Sequence, residues 1–414
     1  MAPTVHAAEQ RRGLEHAAEV VHWWEDGADA RAVDYLRQQY EAAGGVWLDT
    51  TSDYQGVRRQ VVSRLAKGYP PTAMLWNASV ETDQLLELGF LNGINQLVDT
   101  RRWRQLYFPA VLRAIQHRGN YTGLPLNLHT ETWLWLNRRV FESAGVALPT
   151  DWASILAAAR QLEAAGRVAL VASTELWQRR VLFNTVLLGV SGKSIYERLY
   201  AGLDVTLAKE PQFLAALEVF LRLTNFARQA PGDSTWPAQA HAFASGEAAM
   251  FFMGDWAKAE FVHRGLTLGT DFDCLLTPGN PDRLIYVLDV LAFGASEEEV
   301  DLANQRRLIG VVERPEAMAA FNAFKGSVSP LRAQDTSALD RCARASLALL
   351  SRDDAALPTL GEFGDGRFGG AFESVIDGIW RERPTSDAAA GRFVDLLRSI
   401  RAQQSPPRTS DRVR

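Results

Sequence analysis

The chain has 414 residues, 47% of them hydrophobic and 22% charged, with a formal net charge of −5. This is the composition of a soluble globular protein of roughly two to three domains, and the acidic balance argues against nucleic acid as a partner. No run of about 18 apolar residues occurs, which excludes a membrane-spanning helix.

From the amino end, Met1 to Glu9 lack a basic and an apolar region, yet Val5-His6-Ala7 has the small–x–small character of a signal-peptidase site. We expect a periplasmic protein whose signal peptide is removed or absent, with disordered ends at 1–17 and 403–414. Residues 20–24 read as a buried strand, 30–42 as an amphipathic helix, 45–48 as a second strand and 56–67 as a second helix. A third strand, 70–76, is entered through two prolines that stop the preceding helix. Three strand–helix units predict an α/β fold with a parallel sheet. Ligands of such sheets sit beyond the carboxyl ends of the strands. Trp23-Trp24-Glu25 and Trp76-Asn77 fall at two of those ends.

The stretch 121–127 breaks the alternation, and 132–137 is strongly β-prone. A helix follows at 149–166, and 180–265 reads as mostly helical with a loop at 233–237. Within it, 250–254 is a buried strand ending at Asp255-Trp256. A turn at 278–281 leads to a strand at 285–293 that holds a single acid, Asp289. Helices fill most of 297–400, interrupted by a glycine-rich loop at 361–370.

Several of the 12 tryptophans stand in polar company: Trp23-Trp24, Trp76-Asn77, Trp133 and Trp135 near His129 and Asn137, Trp177-Gln178, and Asp255-Trp256. An aromatic face stacks on the apolar C–H patch of a pyranose while neighbouring amides and carboxylates take its hydroxyls. The pattern points to a bound carbohydrate. The rival reading is a glycoside hydrolase using two of Glu25, Asp289 and Glu362. Against it, there is no GxSxG or P-loop, and Ser191-Gly192-Lys193-Ser194 lacks the upstream glycine spacing. A binding protein for a non-sugar polar solute is the third reading. Cys274 and Cys342 allow one bridge at most, and no cysteine or histidine spacing suits a metal, so no cofactor is expected.

Taken in order, Val21-His22-Trp23-Trp24, Gly68-Tyr69-Pro70-Pro71, Gly89-Phe90-Leu91, the segment 123–137, Phe243 to Ala257 and Lys325-Gly326-Ser327 resemble the extracellular solute-binding proteins of ABC importers. The similarity is greatest to the glucose- and mannose-binding branch. The resemblance implies a two-lobe periplasmic-binding-protein fold with a hinge and an interlobe ligand cleft. It implies a first lobe at 18–126 with a returning segment at 290–335, and a second at 127–289 and 336–402. It further implies a monomer without enzymatic activity that docks on a membrane permease.

The expected ligand shell is Trp23, Trp24, Asp29, Trp76, Asn77, Asn127, His129, Trp177, Trp256, Asp289, Lys325 and Glu362; within it the resemblance matches Trp23, Trp24, Asp29, Asp289 and Lys325 to ligand-binding positions and Trp256 to the second-lobe stacking aromatic. Two positions depart from the branch. Trp76-Asn77 stands where it has a lysine, and Glu362 where it has a histidine. D-glucose is therefore expected to bind weakly, and a ligand with more donors or an ammonium group to bind better. Arg179 and Arg180 are the candidate neutralising charges for Glu362.

Overall fold

The computed structural model describes residues 17–230, 234–352 and 354–404. The expected disordered ends lie outside these residues, apart from Ala17, which opens the first strand, and 403–404, which close the last helix. The chain divides into two compact units. Unit 1 holds residues up to Glu131, Gly254–Asp271 and Leu284–Asp365; unit 2 holds Thr132–Met253, Phe272–Arg283 and Gly366 onward.

In chain order the strands are β1 (Ala17–His22), β2 (Val46–Thr51), β3 (Ala73–Asn77), β4 (Gln116–His117), β5 (Asn120–Tyr121), β6 (Leu124–Thr130), β7 (Trp133–Asn137), β8 (Val168–Val171), β9 (Ala227–Arg228), β10 (Ala248–Phe252), β11 (Phe272–Leu276), β12 (Leu284–Phe293) and β13 (Ala356–Pro358). Helices fill most of the intervals, so the α/β class holds.

Unit 1 is built on the order β13-β12-β3-β1-β2, with β6 pairing β12 as well. β1, β2 and β3 run parallel, as their strand–helix alternation requires, and β12 returns antiparallel between β3 and β6. The stretch that interrupts the alternation is β6 itself. Pro125, which cannot donate to a ladder, sits where the β6–β12 register shifts between Asp289 and Val290. In unit 2 the order is β11-β7-β10-β8-β9, with β7 antiparallel to both neighbours.

The boundaries differ from those expected, for reasons visible in the pairing. β6 stays beside β12 to Thr130, which keeps 127–131 in unit 1. β13 pairs with the start of β12, so 336–365 also remains there. The helix Trp256–His263 lies between two unit 2 strands in sequence but packs on the unit 1 helices Gly27–Ala42 and Pro315–Lys325. Farther on, the helix Gly366–Glu382 starts inside the expected glycine-rich loop.

Candidate functional site

β1 ends at His22, two residues earlier than expected, so both tryptophans of the pair stand past the strand. Trp23 is half-buried and its ring meets Tyr54 edge-on at 4.9 Å. Trp24 is buried, and the Lys325 ammonium lies 4.1 Å from the centre of its ring. Lys325 is the last residue of the helix Pro315–Lys325, which Gly326 ends in the left-handed conformation. The lysine is only 1% exposed and is paired with Asp29 in the first turn of Gly27–Ala42. A buried ammonium requires such a partner, and the aromatic face adds a second favourable contact.

Asp289 sits at the register shift of β12, opposite Asn77 on one side and Asn127 on the other. Asn77 Nδ2 donates to its Oδ1 at 2.6 Å and Asn127 Nδ2 to its Oδ2 at 3.0 Å. His129, two residues on from Asn127 and on the same face of β6, places Nε2 3.5 Å from that Oδ2 and Nδ1 against Asp255. Asp255 is held by the Thr130 backbone N–H, which donates to Oδ2 at 2.9 Å. Trp256 turns its ring edge-on to the imidazole, 5.2 Å between centres.

The charges follow from these contacts. Burial works against ionising Asp289, but hydrogen bonds from His129 and Asn127 and the charges of His129 and Lys325 outweigh it. The carboxyl is held below its usual range. Burial likewise opposes charging His129, yet Asp255 and then Asp289 raise it to about 9, so the imidazolium is present at neutral pH. Asn77, Asn127, His129, Asp255, Trp256 and Asp289 thus form one connected cluster in unit 1, with Asp29, Lys325 and Trp24 as a second ion pair.

Glu260 positions the second pair. Its Oε1 accepts from Ala28 N at 2.8 Å and so caps the helix that carries Asp29. A Cβ on Gly27 would meet that same oxygen at 2.1 Å, and Gly27 has φ +58°, a conformation that also favours glycine.

Not every expected residue joins the cluster. Trp256 belongs to unit 1 rather than to a second lobe, because its helix is tied there through Asp255, Lys258 and Glu260. Trp76 is fully buried beneath the Arg58 guanidinium, 4.4 Å from its ring centre, so of that pair only Asn77 reaches the site. Trp133 and Trp135 are core residues of the unit 2 sheet rather than polar-surface tryptophans. Trp177 stands in unit 2 in the first turn of the helix Leu176–Tyr200; its Nε1 donates to Glu175 and its ring meets Trp236 edge-on. Arg179 and Arg180 are paired with Asp377 and Glu373 within unit 2.

Glu362 lies in the turn Leu360–Glu362 after β13, and among the described residues its carboxyl accepts from the Tyr286 hydroxyl on β12, 3.1 Å from Oε2. Two residues escaped the expected shell: Asp255, whose signal was its place beside Trp256, and Tyr286, an ordinary tyrosine in a β-prone run. Among the described residues no group of three or more acidic, cysteine or histidine side chains has metal-holding geometry.

Residues 27–285 match the family described as bacterial extracellular solute-binding protein. A probable sugar-binding periplasmic protein of Brucella melitensis biotype 1 is 27% identical over 371 residues, covering 88% of this chain and 86% of the relative. An uncharacterized ABC transporter extracellular-binding protein of Pyrococcus horikoshii is 24% identical over 82% of this chain and 77% of its own. Among solved structures, a bacterial solute receptor with an exclusive preference for β-D-galactopyranose superposes with a TM-score of 0.78 at 18% identity, covering 93% of this chain and 99% of that one.

Proposed function

The chain belongs to the bacterial extracellular solute-binding proteins, and from that premise we propose that it captures a small carbohydrate in the periplasm and delivers it to the permease of an ABC importer. It acts as a monomer, without nucleic acid and without chemistry on the ligand. The sugar-binding names of its relatives support the ligand class, and the extracellular-binding role of the Pyrococcus relative supports the transport partner.

One observation carries the site. Within β12, opposite the last residue of β3, an ionised Asp289 is held by two asparagines beside Trp256 and the Trp24–Lys325–Asp29 group. Fixed charges beside aromatic rings suit paired sugar hydroxyls, because hydrogen bonds to ionised partners are about twice as strong as neutral ones. Trp23, Trp24, Asp29, Asn77, Asn127, His129, Trp256, Asp289, Lys325 and Glu362 are the residues we assign to recognition in unit 1. Asn77 spends its amide on Asp289 and brings no charge. D-glucose, which the resembled branch meets with a lysine and a histidine at the Asn77 and Glu362 positions, is therefore expected among the weak ligands.

A thermal-shift screen over D-galactose, D-glucose, N-acetyl-D-glucosamine, maltotriose and raffinose tests the reading. A ligand at about 100 times its Kd stabilises the folded state by about 2.7 kcal/mol, which reads as a shift of several degrees. The bound sugar should be recovered unchanged. No shift with any sugar, or stoichiometric product release, overturns the proposal.

A further inference from the structure

Among the described residues of unit 1, Glu362 is a half-buried acid left with one unused, buried carboxyl oxygen. Oε2 accepts from Tyr286, whereas Oε1 is buried with no hydrogen-bond partner. The groups facing it offer little to a negative charge. From β12 comes the neutral Tyr286 phenol, itself pushed well above its ordinary range by burial and by Glu362. From the helix Val80–Glu87 comes Asp83, another carboxyl, which meets His117 of β4 at 3.3 Å. Thr359, just before the turn, turns its hydroxyl to Glu131. Arg113, on the helix Pro109–Ile115, acts on the tyrosine. Among the described residues no cation is paired with Glu362.

A carboxylate in such a place lacks the donors that offset its loss of water, and an acid meets that condition by keeping its proton. Burial, with Asp83 adding to it against the lowering by Tyr286, pushes Glu362 up to about 8. With Oε2 engaged by the phenol, the proton belongs on Oε1, and a buried O–H without an acceptor is a costly group to leave unmet.

Resting on the carbohydrate reading above, we propose that Glu362 recognises the ligand as a neutral carboxylic acid, its Oε1–H donating to a sugar oxygen, so that capture is pH-gated. This replaces the expectation of an ammonium-bearing ligand, since a neutral acid offers a cation no charge. The chemistry selects a neutral sugar whose hydroxyl or ring oxygen accepts at this position. Ligand affinity is full where the acid is protonated, and falls by up to tenfold per pH unit once the free protein's acid ionises.

The test uses the whole chain with D-galactose, N-acetyl-D-glucosamine, maltotriose and raffinose, titrated calorimetrically from about pH 6 to about pH 9. Wild-type affinity should be constant up to about pH 7 and decline above about 8. Glu362→Ala should lose about fivefold to tenfold at pH 7. Glu362→Gln, which keeps a neutral donor, should rescue that loss to within about threefold and stay flat between about pH 7 and 8.5, below the range where His129 sheds its proton.

An infrared measurement on the ligand-free protein gives a second arm. A protonated-carboxyl C=O band should be present at pH 7, vanish as pH rises through about 8 and be missing from Glu362→Gln. Its absence at pH 7 overturns the proposal. Sugar binding with Glu362→Gln as weak as Glu362→Ala, or with equal affinities in all three proteins, overturns the protonated contact alone. A titrating band with no sugar bound at any pH overturns the carbohydrate reading and this proposal with it.

Discussion

Two buried carboxyls lie against the same strand and differ in charge. Asp289, on β12, receives two asparagine amides and faces His129 and Lys325; it stays ionised. Glu362, against Tyr286 three residues earlier on β12, receives one phenol and faces Asp83; it keeps its proton. Burial raises both. What separates them is the number of donors and the sign of the nearest charge. Loss of water at the carboxyl therefore accompanies a fixed anion at one place and a neutral acid at the other.

The largest way to break this contrast is Asp289→Ala. It leaves a buried imidazolium with one anionic partner fewer and two asparagines without an acceptor. Removing one member of a buried charged group costs about 3–5 kcal/mol, so denaturant unfolding should show that loss and sugar titration should show no binding. A cost below about 1 kcal/mol would mean that the cluster is not held as an ion pair.

Proton linkage probes the same cluster without mutation. The folded-state value of His129 is raised from 6.5 to about 9. Its contribution to stability is thus complete below 6.5 and disappears as pH rises through about 9. The wild type should lose up to about 3 kcal/mol across that window, and His129→Gln should lack this component. For Asp289 the sign is reversed: its folded value is depressed, so its contribution is present above 3.8 and is lost as pH falls below it.

Trp256→Ala asks whether the aromatic beside this cluster serves the ligand or the fold. Affinity should fall by about 1–3 kcal/mol, as for a stacking anchor, with little change in stability for a half-buried ring. Calorimetry showing unchanged affinity would remove Trp256 from the site. The smallest effect is expected from Asp83→Asn. Deleting the neighbouring negative charge should lower the midpoint of the Glu362 infrared titration by less than about one pH unit. An upward shift would contradict the assigned cause.

The candidate cluster was legible where a strand ended in aromatic and polar residues together, at Trp23-Trp24-Glu25, Trp76-Asn77 and Asp255-Trp256, while Asp289 stood out as the single acid of a buried strand. Such pairs are local, and strand ends follow from the pattern of alternation. Lys325 and Asp29 were reached only through family resemblance, since nothing in either segment marks an ion pair across 296 positions. Trp256 went to the wrong unit because a segment flanked by β10 and β11 packs elsewhere, and sequence adjacency carries no such information. Trp133 and Trp135 misled because β7 lies between two other strands and is buried along its whole length, which polar neighbours in sequence do not report. With Glu362 the residue was visible but its charge was not, because that depends on Tyr286 and Asp83 from remote segments.

The position of β12 within its sheet also bears on how the protein is made. β12 pairs with β3, β6 and β13, so a chain synthesised from its amino end carries β1, β2 and β3 for some 200 residues before the strand that joins them to β6 emerges. Until then β3 keeps an open edge, and the pairing that closes it joins segments far apart in sequence, the slow kind. Unit 1 therefore completes late in synthesis or after it. Its half-built sheet, an unpaired edge lined by Met74, Leu75 and Trp76, is what a chaperone would have to cover in the interval.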